Sequence, residues 1–267
     1  SDSGINIQPS EFAKLIMIIC LARLLSTNHT GFKTWKSLIP VAGMMFLPTI
    51  LIFIQPDLGT SLVFAAIAFG MLYICGLRME LVKRALIALV VMFPVIWFFV
   101  LHSYQKMRIL VLFNPSVDPY GSGYHVIQSK ISIGSGGFLG QGLFEGTQSQ
   151  LNFLPENHTD FIFSVIGEEL GFIGAIFVIF LYFVLLYRTI MISRSSGDSF
   201  GSLLACGIFS MWLFQVFINV GMTLGIMPVT GIPLPFMSYG GSALVMNLLC
   251  VGILMNIYLR RKKLMFD

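Results

Sequence analysis

Long apolar runs separated by short polar segments make up most of this sequence. A helix needs about 20 mostly apolar residues to cross a bilayer, and seven runs approach that length. They cover residues 11–26, 37–54, 58–76, 84–102, 161–187, 201–226 and 240–259. The first run is short and contains Lys14 and Arg23, so it fits a spanning helix least well. The pattern predicts an all-α polytopic membrane protein with about seven spans.

The composition also predicts a membrane protein, because so much apolar surface is better solvated by lipid than by water. Of the 267 residues, 56% are hydrophobic and 10% are charged, against about 25% charged in an ordinary soluble domain. The basic residues form short clusters near the ends of apolar runs, which argues against nucleic acid as a partner. Each of the four cysteines lies alone inside an apolar run, so no disulfide framework or zinc site is predicted.

The orientation follows from the basic tail Arg260, Arg261, Lys262 and Lys263, which the positive-inside rule places in the cytoplasm. Seven spans then leave 12 basic residues inside and 4 outside. The longest connection, residues 103–160, falls outside. It is rich in turn signals, so we predict an ordered loop in which residues 124–133 form a short amphipathic helix. The proline-rich residues 228–235 also fall outside and cannot continue a helix.

Ionisable residues in or near spans are the first functional candidates in a membrane protein. Asp160 opens the fifth predicted span. As an acid in the first helical turn it would gain about 0.3–1 kcal/mol from the helix dipole. Alternatively, it is a carboxylate at the outer membrane surface that takes a proton from a hydroxyl group. The sequence permits both interpretations.

Two further pairs of charged residues lie in the predicted spans. On one continuous helix Glu168 and Glu169 would lie about 12–13 Å deeper than Asp160, and structural pairing with cations or backbone donors is favoured over direct catalysis. Glu11 and Lys14 are three residues apart, within mutual reach on one helix face. They form either a neutralising pair or, in an outer cavity, an exposed site in which Lys14 attracts a phosphate or diphosphate.

The remaining polar candidates have simpler interpretations. Asp57 precedes a span and is favoured as a helix cap. Arg108 either binds anionic lipid non-specifically or clamps a diphosphate, and the sequence does not separate these. The glycines after Ser238 favour close packing or a tight turn. His125 and His158 are 33 residues apart without a partner at ligand spacing, so no histidine metal site is predicted.

Several motifs follow one another along nearly the whole chain. They are residues 8–14 (QPSEFAK), 55–60 (QPDLGT), the loop from Arg108 to Gly137, residues 154–163 (LPENHTDFIF), 167–171 (GEELG) and 233–242 (PLPFMSYGGS). In this order they resemble the SEDS family (shape, elongation, division and sporulation), which includes RodA, FtsW and SpoVE. Residues 146–153 and 222–225 are more similar to the rod-shape branch than to the division branch.

The resemblance implies a peptidoglycan glycosyltransferase that polymerises lipid II, held on undecaprenyl diphosphate, at the outer face of the bacterial cytoplasmic membrane. It also implies a class B penicillin-binding protein as crosslinking partner. Family members have ten spans, so this single SEDS-type domain, residues 1–267, would lack about three N-terminal helices. The family's essential loop aspartate corresponds to Asp160, the general base, and its outer-cavity acid and base correspond to Glu11 and Lys14.

The resemblance also suggests how the leaving diphosphate is stabilised. Lys14, Arg108 or a divalent cation, Mg²⁺ or Mn²⁺, would neutralise its developing charge. The matched motifs add Asp57, His158, Glu168 and Ser238 as candidate substrate-binding residues. An α-linked donor that gives a β-1,4 bond requires one inverting displacement, so no enzyme nucleophile is needed.

Two other functions are compatible with these features. A lipid II flippase would also need many spans, an outer cavity and a few buried charges, although such transporters usually contain internal repeats. A non-catalytic scaffold for a penicillin-binding protein would leave Asp160 without effect on turnover.

Overall fold

In a computed structural model, residues 8–27, 32, 34–55, 57–151 and 153–260 are described. Some residues used above lie outside this set: Lys33, Pro56, Asn152 and the tail residues Arg261, Lys262 and Lys263. Within the described part every regular element is a helix, which confirms the all-α prediction.

Eleven α-helices make up the described chain. They are α1 Pro9–Ser26, α2 Trp35–Ile54, α3 Leu58–Ile74, α4 Met79–Val95, α5 Ser103–Phe113, α6 Ser122–Ser135, α7 Thr147–Gln150, α8 Ile162–Glu169, α9 Gly171–Arg194, α10 Ser199–Thr223 and α11 Gly241–Arg260. A π-helical turn, Ile96–Val100, continues α4 after Pro94, where the proline lacks the N–H of a regular α-helix. A 3₁₀ turn, Pro115–Val117, lies between α5 and α6.

Among the described residues, five segments are long and apolar enough to cross a membrane: Trp35–Ile52, Met79–Phe99, Gly171–Arg194, Ser199–Thr223 and Gly241–Arg260. Helix α3 is apolar but shorter, at 17 residues. Helix α1 carries Glu11, Lys14 and Arg23. Each of the seven predicted spans therefore coincides with helical structure, whereas the count of seven spans stays a prediction.

The chain divides into two compact units, each built from separate stretches of sequence. The first consists of residues 1–86, 184–214 and 240–267, and the second of residues 87–183 and 215–239. The core of the first includes the fully buried Ile18, Leu21, Phe64, Ile67 and Met71. A core in the second is formed by Val111, Val126, Leu154, Phe161, Met222 and Val229.

Local sequence signals explain where two helices of the first unit begin. Pro9 occupies the first turn of α1, where its missing N–H leaves no hydrogen bond unmade. Asp57 precedes α3, and its carboxylate accepts hydrogen bonds from the Thr60 backbone N–H at 2.9 Å and the Thr60 hydroxyl at 2.6 Å. The cap interpretation of Asp57 is confirmed.

The predicted span 161–187 is wrong as a single helix. Helix α8 ends at Glu169 and α9 starts at Gly171. Gly171 has φ +66°, a left-handed conformation that favours glycine, and a Cβ here would collide with the backbone of residues 138–140. The break also changes the position of Asp160. It lies in a turn before α8, with Phe161 as the N-cap residue, and not in the first turn of a spanning helix.

The long connection, residues 103–160, contains regular structure in its described part. It contains α5, α6 and α7, and α6 covers the whole stretch expected to form an amphipathic helix. Asp118 fixes the start of α6, because its Oδ2 accepts hydrogen bonds from the Ser122 N–H at 2.8 Å and the Ser122 hydroxyl at 3.0 Å. The turn-forming residues of this segment therefore lie between short helices.

Candidate functional site

A cavity of about 550 Å³ lies in the second unit, and we call it the polar cavity because four charged side chains are among its lining residues. Its walls come from α5, the start of α6, the turn before α8 and the segment after α10. The lining residues are Ser103, Tyr104, Met107, Arg108, Asp118, Ser122, His125, Glu156, Asp160, Phe161 and Val229. Two of the predicted site residues, Arg108 and Asp160, are therefore brought to one cavity.

The charges of this cavity are mainly acidic. Asp118, Glu156 and Asp160 contribute three carboxyl groups, whereas Arg108 contributes one guanidinium. The Arg108 guanidinium lies 5.8 Å from the centroid of the Tyr104 ring, close enough for a cation–π interaction that holds the side chain at the wall. Acidic groups can accept protons or bind hydroxyls, and Arg108 is the anion-binding group among the lining residues.

His125 forms an uncharged part of the cavity wall at neutral pH. Its ring stacks on Phe161, with centroids 5.9 Å apart, and its Nδ1 is buried with no hydrogen-bond partner among the described residues. Burial lowers the pKa of His125 below its usual value, although Glu156 and Asp118 act in the opposite direction and Arg108 lowers it further. The neutral imidazole leaves Arg108 as the cation at this wall.

The turn that carries Asp160 is closed by one backbone carbonyl. The Glu156 carbonyl accepts hydrogen bonds from the Thr159 N–H at 3.3 Å and the Phe161 N–H at 3.2 Å. Glu156 itself has φ +52°, a left-handed backbone that is uncommon for a residue other than glycine. Such conformations persist where the surroundings enforce them, so the shape of this turn is imposed by its neighbours.

Three successive carbonyls of this turn are each held by a donor from the later part of the chain. The Tyr239 N–H donates to the His158 carbonyl at 2.8 Å, and the Ser238 hydroxyl donates to the Thr159 carbonyl at 2.6 Å. The Asn219 side-chain amide donates to the Asp160 carbonyl at 3.0 Å. We call these three contacts the carbonyl clamp. They fix the backbone from which the Asp160 side chain projects.

Asn219 connects the clamp to the proline-rich segment after α10. It is fully buried, and its amide also donates to the Ile232 carbonyl at 2.8 Å. The adjoining Gly231 has φ +74°, and a Cβ at this position would lie 3.3 Å from Asp160 Oδ2. The absence of a side chain therefore lets residue 231 approach the Asp160 carboxylate closely.

If Asp160 carries the activity, replacing Asn219 by alanine is expected to reduce turnover far more than substrate binding. Loss of its two hydrogen bonds loosens the Asp160 backbone, and a displacement of 1 Å at a reacting group costs about 10²-fold in rate. Steady-state assays of the purified protein would separate kcat from KM. Gln215→Leu is the matched control, since Gln215 is equally buried one turn earlier on α10. A raised KM with unchanged kcat would contradict a positioning role.

Glu168 does not line this cavity, and its carboxylate is held in hydrogen bonds between helices. It is fully buried, and its carboxylate accepts hydrogen bonds from the Ser132 hydroxyl at 2.8 Å and from the Gln148 and Ser149 N–H groups at 2.7 and 3.1 Å. These contacts connect α6, α7 and α8. The predicted pairing with backbone donors is therefore present, and the substrate-binding assignment of Glu168 receives no support.

Glu11 and Lys14 form the predicted ion pair in the first unit. Lys14 Nζ lies 2.7 Å from Glu11 Oε1, and the two residues are only 2% and 1% exposed. Glu11 Oε2 has no hydrogen-bond partner among the described residues. The prediction of an exposed lysine in an open cavity is wrong for this structure, because the helix packing encloses both charges.

Ser238 and His158 contribute to the site by fixing its backbone. The Ser238 hydroxyl also accepts a hydrogen bond from the Leu234 N–H at 2.8 Å, so both of its bonds fix chain geometry. His158 uses its carbonyl, and its side chain is exposed. Asp57 is engaged as the cap of α3. None of these three side chains lines the polar cavity.

Asp118, Glu156, His125 and Asn219 contribute polar or charged groups to the site and were not among the predicted site residues. Asp118 is recognisable in sequence only as a turn former, and Glu156 only as part of a motif. His125 was considered only as a metal ligand. An amide such as Asn219 inside an apolar run is a usable signal, because a buried polar group in a spanning helix requires partners.

A metal centre has no preformed ligand set in the part of the chain that the structure describes. No three His, Cys, Asp or Glu side chains come together there as ligands of a metal ion. The cavity carboxyl groups include Asp118, whose Oδ2 already accepts two hydrogen bonds. These residues do not fit a resident divalent cation, so no catalytic step is assigned to one.

Comparison with known proteins places this geometry in a family. The family model FtsW/RodA/SpoVE, described as a cell cycle protein, matches residues 3–263. The chain belongs to the FtsW/RodA/SpoVE family. The SEDS resemblance is thereby confirmed for a match that extends over nearly all of the chain.

Individual members of the FtsW/RodA/SpoVE family agree with this assignment. The peptidoglycan glycosyltransferase MrdB of Escherichia coli (strain K12) is 44% identical over 264 residues, which is 98% of this chain and 71% of that protein. A chain in a structure described as "Structural coordination of polymerization and crosslinking by a peptidoglycan synthase complex" superposes with a TM-score of 0.82 at 31% identity, covering 98% of this chain and 72% of that chain. The rod shape determining protein RodA of Thermus thermophilus superposes with a TM-score of 0.64 at 28% identity, covering 96% of this chain and 66% of that chain.

Proposed function

We propose that this member of the FtsW/RodA/SpoVE family is a peptidoglycan glycosyltransferase that polymerises lipid II during cell elongation, with Asp160 as general base. The observation that carries the proposal is the position of Asp160, which lines a polar cavity while its backbone carbonyl is held by Asn219. A general base must be fixed within hydrogen-bond reach of the proton that it removes. The carbonyl clamp supplies that fixation.

The proposed reaction is a single displacement. The 4-hydroxyl oxygen of the acceptor sugar attacks C1 of the donor sugar while Asp160 takes the hydroxyl proton. The new β-1,4 bond forms as the bond from C1 to the undecaprenyl diphosphate oxygen breaks, and the diphosphate leaves with the electron pair. Inversion at C1 needs no covalent enzyme intermediate.

The cavity chemistry favours the acceptor side of this reaction. Three carboxyl groups against one guanidinium attract sugar hydroxyls and amides more readily than a diphosphate. Arg108 is the lining residue that can stabilise charge developing on the leaving group. His125 lines the same cavity as Asp160. Because its imidazole is neutral, it adds no second positive charge for the leaving diphosphate.

The topology that accompanies this proposal follows from the charge pattern. The C-terminal end of α11 lies in the cytoplasm, and residues 103–160 lie on the outer side of the bacterial cytoplasmic membrane. Lipid II presents its disaccharide on that side, together with the growing undecaprenyl-linked glycan. A class B penicillin-binding protein is the proposed partner that crosslinks the product.

The experiment that tests the function supplies the reconstituted protein and its penicillin-binding partner with labelled lipid II, while a crosslinking inhibitor is present. We expect long glycan strands on a denaturing gel. Addition of a chelator tests separately the Mg²⁺ or Mn²⁺ that the family resemblance implies, because metal readdition restores polymerisation if a cation is needed. Absence of polymer, together with transfer of lipid II across vesicle bilayers, would establish a flippase instead.

A further inference from the structure

An exposed apolar segment lies apart from the polar cavity in the second unit. Residues 138–144, here called the apolar loop, have the sequence FLGQGLF and connect α6 with α7. Phe138, Leu139, Leu143 and Phe144 are 76%, 80%, 63% and 80% exposed. Four large apolar side chains within seven residues form a patch that monomeric soluble surfaces rarely carry.

The backbone of the apolar loop is fixed, so its exposure is not the result of a loose chain. The Gln141 and Gly142 N–H groups donate to the carbonyls of Glu168 and Glu169 at 3.0 and 3.1 Å. In the opposite direction the Phe172 N–H donates to the Gly137 carbonyl at 2.9 Å. The Ile173 N–H also donates to the Phe138 carbonyl at 3.3 Å, so the loop is attached to the end of α8 and to the first turn of α9.

This attachment places the loop at one end of a membrane-spanning helix. The Phe138 ring packs edge to face against Phe172, with centroids 5.8 Å apart. Beyond Phe172 the outward surface of α9 continues with exposed Ile173, Ile176 and Phe177. The apolar loop thus extends the exposed apolar surface of α9 beyond the start of this helix.

Charge indicates what kind of lipid surface would suit the loop. Residues 131–159 contain no lysine or arginine, and the charged residue nearest to the loop in the sequence is Glu145. Binding through this segment therefore depends on apolar burial and not on attraction to anionic head groups.

We propose that the apolar loop inserts Phe138, Leu139, Leu143 and Phe144 into the leaflet at which α9 begins. The loop backbone remains at head-group level, where water can satisfy its remaining polar groups, because lipid-exposed irregular backbone is excluded from the hydrocarbon region. The loop anchors the segment between α6 and α7 to the bilayer. This inference does not depend on the proposed glycosyltransferase activity.

Photocrosslinking of the full chain tests the proposal. Benzoylphenylalanine replaces Phe144 in one variant and Tyr120 in a matched control, since Tyr120 is a 97% exposed aromatic residue of the same unit. The purified proteins are irradiated in phosphatidylcholine vesicles and in vesicles that also contain phosphatidylglycerol. We expect phospholipid adducts in severalfold higher yield at position 144 than at position 120, with equal yields in both vesicle types.

Three results would overturn the proposal. Equal lipid adducts at the two positions would show that the loop has no preferred contact with the bilayer. A yield at position 144 that requires phosphatidylglycerol would show electrostatic attraction instead of apolar insertion. Irradiation in native membranes that gives a protein adduct at position 144, in place of lipid, would assign the loop to a protein partner.

Discussion

Substitution of Asp160 by asparagine is expected to abolish polymerisation of lipid II while leaving the fold intact. Asparagine has the same shape and keeps the backbone carbonyl that accepts from Asn219, but its amide cannot take a proton from the acceptor hydroxyl. Loss of a general base costs typically about 10²–10⁴-fold in rate. The measurement is the initial rate of glycan synthesis from labelled lipid II, together with the thermal unfolding midpoint of both proteins in detergent.

A second variant separates loss of the base from loss of a negative charge. Glu156 lines the same cavity, so Glu156→Gln removes one negative charge from the cavity and retains the Asp160 base. We expect this variant to keep measurable polymerisation. Wild-type turnover by Asp160→Asn would show that another group accepts the proton, and comparable losses in both variants would point to cavity charge as the cause.

Replacement of Glu168 by alanine is expected to lower the free energy of unfolding by several kcal/mol. Three donors that now bind its carboxylate would remain buried or partly buried without an acceptor, and each unsatisfied buried group costs about 1–3 kcal/mol. Glu168→Gln should cost less, about 1–3 kcal/mol, because one carboxylate oxygen becomes an NH₂ group that cannot accept and at least one backbone donor loses its acceptor. The unfolding midpoint in detergent, together with the rate of proteolysis within residues 141–150, measures the effect.

Glu169 provides the matched comparison for this experiment. It adjoins Glu168 but is only partly buried, and the Gly142 N–H binds its backbone carbonyl and not its carboxylate. Glu169→Gln should therefore change the free energy of unfolding by about 0.5 kcal/mol or less, as is usual away from buried networks. Equal midpoints for the two glutamine variants would refute the assignment of Glu168 as the connection between α6, α7 and α8.

The sequence predicted the helices well because long apolar runs are their main signal. It failed at the junction of α8 and α9, where the apolar run continues through Leu170 and no proline marks the break. The break depends on close packing of Gly171 against residues 138–140, and hydrophobic periodicity carries no information about such a contact. Residue 171 is also one of 26 glycines, so its presence alone does not indicate a helix end.

The candidate site was predictable where a charge stands beside an apolar run, as for Asp160 and Arg108. It was not predictable where a residue acts through tertiary contacts. Asn219 is 59 positions from Asp160 in the chain, and only the folded structure brings its amide to that carbonyl. The burial of Lys14 was missed for the same reason, since sequence spacing gives the ion pair but not the packing around it.

The carbonyl clamp has a consequence for how this region tolerates sequence variation. Two of its three donors are side chains, Ser238 and Asn219, whereas Tyr239 donates from the backbone and all three acceptors are carbonyl groups. The geometry of the Asp160 turn is therefore independent of the side chain at position 158, and many residue types can occupy that position. Positions 219 and 238, by contrast, require a side chain that donates a hydrogen bond at the right length. Substitutions at these two positions, which are remote from Asp160 in the chain, are therefore expected to disturb the site.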